Sequence, residues 1–250
     1  MEIDTTDSSN HSAKNAFGSL SYESRILLLQ GPSILLIVSH FGTPSEYAEL
    51  CSAAIGVVSV DRSRQIAEQA DSNNRPYAIE FPVLALAAAS QTFQTGYKQC
   101  AHVSCVPLAV GNILPGYAMC VLDWLVRCTR SKTPISFLPE KPDIDGEDKW
   151  YWLYSYAAMR ALGIEAYEDL QQFVERLIDH ENLIAECSNY LCLLRALQPW
   201  DPIVAYLARR TARQMSRNTL GLSAAQCDNI GAAHPHFAAL VNERMQKQTC

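Results

Sequence analysis

Phe81-Pro82-Val83-Leu84-Ala85-Leu86-Ala87-Ala88-Ala89-Ser90-Gln91-Thr92-Phe93 passes from alternating polarity into an alanine-rich apolar run. Tyr77–Phe81 alternates, as a strand with one buried face does. Pro82 suits the first turn of a helix, where its missing amide hydrogen costs nothing. The stretch therefore predicts a strand leading directly into a helix over Pro82–Ser90.

On the N-terminal side, Ile34–Val38 is unbroken and rich in branched residues, which predicts a buried strand, and Gly42, Thr43 and Pro44 end it. Val57–Val60 reads as a second buried strand. Ser45–Ala54 and Ser63–Ala70 carry helix formers, and the turn-rich 71–76 follows. On the C-terminal side Val103–Leu108 is a further strand. Pro115 opens a helix that turns Tyr117, Met119, Cys120, Leu122, Trp124 and Leu125 inward. Thr129 to Lys149 holds three prolines and the acidic Asp143, Asp145, Glu147 and Asp148, the composition of a long exposed loop.

Beyond it the chain is helical. Trp152–Leu162 stops at Gly163, and Tyr167–Ile178 sets Leu170, Phe173, Val174, Leu177 and Ile178 on one face. Leu183–Leu197 repeats the pattern. Asp201-Pro202, a cap followed by a first-turn proline, opens a helix to about Met215. Pro235–Gln246 is the last helix.

The 250 residues are 48% hydrophobic, 9% aromatic and 18% charged, too apolar for a mostly disordered chain. The net charge of -6 argues against electrostatic binding of nucleic acid. No run approaches the roughly 18 apolar residues of a membrane span. Residues 1–20 are polar, lack the order of a signal peptide and predict a mobile arm. Nine cysteines without regular spacing suggest reduced thiols, hence cytoplasm or nucleus.

Three segments together resemble the BTB/POZ fold in the divergent form common in fungal proteins. Phe81–Phe93 is similar to the family's signature: a strand end, a helix closing on Leu-Ala-Ala-x-Ser, then an aromatic residue. Val106-Pro107-Leu108, Pro115 and the Leu122, Trp124, Leu125 group resemble the next strand and helix. Trp152–Ile164 and Leu170–Ile178 resemble the closing helical hairpin. The resemblance implies an α/β (α+β) domain over 21–180, a mixed sheet flanked by helices, with an insertion near 42–76 and a helical extension over 181–250. It implies protein–protein interaction without catalysis: self-association as a homodimer, delivery of targets to a cullin-type ubiquitin ligase, or a role with transcriptional partners. Tyr22, Ile26 and Leu28, ahead of the first strand, are where such dimer elements lie.

Other chemistry is weaker. Cys100-x-His102-x2-Cys105 has zinc-compatible ligand types but no second pair at proper spacing, and Cys227 with His234 and His236 is sparser still. Neither metal nor cofactor is expected. Ser223 in Gly221-Leu222-Ser223 follows no strand and reads as a helix cap, not a nucleophile. The acidic loop misplaces the ligands of a calcium loop. Arg209, Arg213 and Arg217, beside Arg210, form a basic stripe suited to an acidic partner or to a solvated helix end. The alternative from another class is an S-adenosylmethionine-dependent methyltransferase-like enzyme, with Asp61 ending the strand Val57–Val60 to hold a ribose. That requires Val57–Val60 to lie parallel beside Ile34–Val38. It also requires a glycine-rich turn, for which only Gly42 and Gly56 stand nearby. Without the turn Asp61 reads as a helix-start carboxylate. A third option is a wholly helical scaffold, with the early branched runs inside helices.

Overall fold

Four strands and ten helices are visible in a computed structural model that describes residues 20–38, 57–59, 77–99, 105–108, 115–133, 135–138, 149–164, 168–180 and 186–249. The expected helices over 45–54 and 63–70, the acidic stretch 143–148, and Asp61, Cys100 and His102 lie outside them. So does the expected arm, except for residue 20.

Helix α1 (Tyr22–Leu28) precedes strand β1 (Ser33–Val38), whose Ile34, Leu36 and Val38 are buried at alternate positions. The apolar run is thus a strand, not helix interior. Strand β3 (Tyr77–Pro82) pairs antiparallel with β1, setting Ile34 opposite Phe81 and Leu36 opposite Ile79. Strand β4 (Cys105–Leu108) pairs parallel on the other side of β1. Strand β2 (Val57–Ser59) pairs parallel with β3, giving the order β2-β3-β1-β4. The arrangement required of a methyl-donor site is therefore corrected: β3 separates β2 from β1 and runs antiparallel to β1.

Pro82 is the last residue of β3 rather than the first of a helix. Its backbone is extended (φ -61, ψ 115), and helix α2 spans Val83–Ala89. The amide of Val83 is satisfied instead by Pro32 O at 2.9 Å. Val83, Ala85, Leu86 and Ala89 face inward. At Ser90 the backbone turns extended and forms a bridge with Ile164. The Ser90 hydroxyl then accepts from Phe93 N (3.0 Å), opening helix α3 (Gln91–Gln99), for which no separate helix was expected.

Helix α4 (Pro115–Arg130) buries Met119, Leu122, Trp124 and Leu125. Tyr117 and Cys120 are only half-buried, and Tyr117 meets Tyr151 and Tyr154 at 5.7 and 5.1 Å. The segment after α4 is not wholly an exposed loop. A buried indole needs an acceptor, and Trp124 Nε1 donates to Ile135 O at 3.0 Å. Phe137 then stands edge-on between Trp124 and Trp152.

Helix α5 (Lys149–Ala161) ends with Gly163 at φ +64; Ile164 N donates to Met159 O and Gly163 N to Arg160 O. This is the Schellman pattern, with Met159 and Ile164 both buried beside it. Helix α6 (Glu168–His180) buries all five expected residues, and Phe173 meets Trp152 edge-on at 5.5 Å. Helices α7 (Cys187–Ala196), α8 (Pro202–Ser216), α9 (Ala224–Ala233) and α10 (Pro235–Thr249) form the extension. Asp201 caps α8 by accepting from Ile203 N, and Pro202 stands in its first turn. Leu86, Trp124 and Phe173 belong to one apolar cluster, which continues through Tyr190, Ile203 and Phe237 of the extension.

Candidate interaction surface

Helix α1 is held from both ends. Ser21 caps it by accepting from Ser24 N at 3.1 Å. Arg25, only 7% exposed, donates from Nη1 to Leu20 O (2.8 Å) and from Nη2 to Ser131 O (2.6 Å), tying α1 to the chain just past α4. Leu28 and Leu29 pack on the core. Tyr22 and Ile26 are half-buried, while Leu27 is 61% exposed. Leu84 of the neighbouring α2 is also exposed and leans over Gly31, where an added Cβ would come within 2.6 Å of its Cδ1. Of the expected contact residues, Tyr22, Ile26 and Leu28 are all half-buried, with Leu28 packed on the core. Arg25 and Leu27 were missed. The sequence signal for Leu27 is the four-residue apolar run Ile26–Leu29, which a helix cannot bury on all sides.

A second face lies on α8. Arg209, Arg213 and Arg217 are all exposed, and none forms an ion pair with a described residue. Arg209 lies over the Tyr206 ring at 5.6 Å. Arg210 is used differently: it pairs with Asp179 of α6 at 3.4 Å, and the Tyr206 hydroxyl donates to the same carboxylate. Desolvation of the ring, then Asp179, pushes the Tyr206 hydroxyl up to about 12. Arg213 and Arg217 stand at the C-terminal end of α8, where positive charge meets the helix dipole favourably.

The expected chemical sites behave as follows. Ser223 caps α9 in a capping box with Gln226, as read from the sequence. Cys227 is not brought to the histidines: it borders one cavity, whereas His234 and His236 border another of about 160 Å³. Among the described residues no three histidine, cysteine or acidic side chains are placed to share a metal. Cys128, Cys187, Cys192 and Cys227 are thiols, and burial pushes that of Cys128 up to about 11. Among the described residues no helix is long and apolar enough to cross a membrane.

Comparison with family models, with curated proteins and with solved structures found no match.

Proposed function

We propose that the chain is a protein–protein interaction module of BTB/POZ type that self-associates through the face carrying α1. One observation carries the fold half of this proposal. Ser90, where the signature helix breaks, bridges to Ile164 and sits against Gly163, at the end of the hairpin's first helix. Such a domain needs a short mixed sheet, and the sheet β2-β3-β1-β4 combines one antiparallel with two parallel pairings. The interaction half is supported by Leu27 and Leu84, large apolar side chains left exposed on contacting helices. A stable interface buries about 800 Å² on each partner, more than these leucines and the half-buried Tyr22 and Ile26 supply, so further residues of this face take part. A second copy of the chain is its first partner; a cullin-type ligase scaffold or a transcriptional partner would use the module once paired. The thiols suit cytoplasm or nucleus.

Sedimentation velocity over a range of concentrations tests the proposal. A faster boundary that grows with concentration is expected. A single monomer boundary throughout would overturn it.

A further inference from the structure

The four helices of the extension line a half-open cavity of about 350 Å³, inside the size range of small-molecule sites. Its wall takes Tyr190 from α7, Thr211 from α8, Asp228 and Gly231 from α9, and Phe237 from α10. Gly231 is a second observation. It lies inside α9, where glycine is about 0.5–1 kcal/mol worse than alanine. No left-handed backbone requires it, and an added Cβ would meet Ala238 Cβ at 3.5 Å, an ordinary contact. Packing therefore does not demand the glycine. Its missing side chain leaves room in the cavity.

The polar groups narrow the ligand's chemistry. Tyr190 and Thr211, both buried, share one hydrogen bond between their hydroxyls at 3.0 Å. Two hydroxyls carry two hydrogens, so the pair has one left to donate. Among the described residues the one acidic group on the wall is the exposed Asp228, and no lysine, arginine or histidine lines it, which disfavours an anion. We propose that this cavity binds a small uncharged amphiphile, a ring or short chain bearing one hydrogen-bonding group seated against the Tyr190–Thr211 pair.

The test uses the full chain and the neutral fluorescent probe N-phenyl-1-naphthylamine, followed by fluorescence titration and by alkylation of thiols read by mass spectrometry. Cys227 borders the cavity, whereas the exposed Cys192 does not. Saturable binding is expected, with Cys227 alkylation slowed at least tenfold and Cys192 unaffected. Gly231→Leu should weaken binding tenfold or more, and Thr211→Val several-fold. If Gly231→Leu does not fold, Asn242→Trp on the exposed rim serves in its place. Absence of saturable binding, or binding that leaves Cys227 as reactive as before, overturns the proposal.

Discussion

The Asp201 carboxylate accepts from three donors: Ile203 N (2.9 Å), the Tyr156 hydroxyl (3.0 Å) and Arg160 Nε (2.8 Å). Only its capping role is written in the local sequence, because Asp201 and Pro202 are adjacent. Tyr156 and Arg160 arrive from more than 40 residues away. Asp201 is 1% exposed, so its removal strips a buried acceptor from all three groups. Asp201→Ala should lower stability by about 3 kcal/mol, the low end for a broken buried pair because Arg160 keeps some water contact. Asp201→Asn keeps the cap and should lose less; urea unfolding midpoints measure both. His234 gives a pH signature. Its Nε2 is buried with no hydrogen-bond partner among the described residues, and burial, then Arg195, holds its pKa below the usual value. As pH falls through about 6.5 the unfolded chain takes up a proton that the folded chain does not, so stability declines. Unfolding at pH 7 and pH 5.5 should show a smaller loss in His234→Gln than in the wild type.

Helices with their own punctuation were legible before any coordinates. Helix α6 carries five apolar residues at helical spacing, α8 opens on Asp201-Pro202, and Gly163 ends α5. Where the boundary depends on a distant contact, the sequence is silent. The signature helix is legible up to its end at Ser90, but helix α3 beyond it is not, because it opens on the Ser90 hydroxyl at a point where the Ser90 backbone pairs with distant Ile164. Ile135 and Phe137 look like loop residues until Trp124 requires an acceptor. The Gly163–Ser90 junction is correspondingly intolerant. At φ +64, with an added Cβ only 2.7 Å from the buried Ser90 Oγ, Gly163→Ala should cost about 1–3 kcal/mol. A thermal melt followed by circular dichroism reads that loss, and an unchanged midpoint would show that the junction yields freely.

Strand order is fixed by pairings between distant segments, which explains why four strands were placed in sequence but their order was not. The same holds for the proposed contact face. Leu27 stands out from the surface only because Arg25 and Leu28 anchor α1 beneath it, and neither contact is local. One core joins that sheet and its helices to the extension; among the described residues an apolar patch is exposed at α1 and a basic stripe at α8, with Trp200 exposed ahead of α8. Self-association is assigned to the first. The decisive comparison is light scattering coupled to size exclusion on the full chain, on Leu27→Glu and on Arg213→Glu. The wild type and Arg213→Glu should elute at twice the chain mass and Leu27→Glu at the mass of one chain, with circular dichroism unchanged. A wild type of single-chain mass, or a dimer that Leu27→Glu leaves intact, contradicts the assignment.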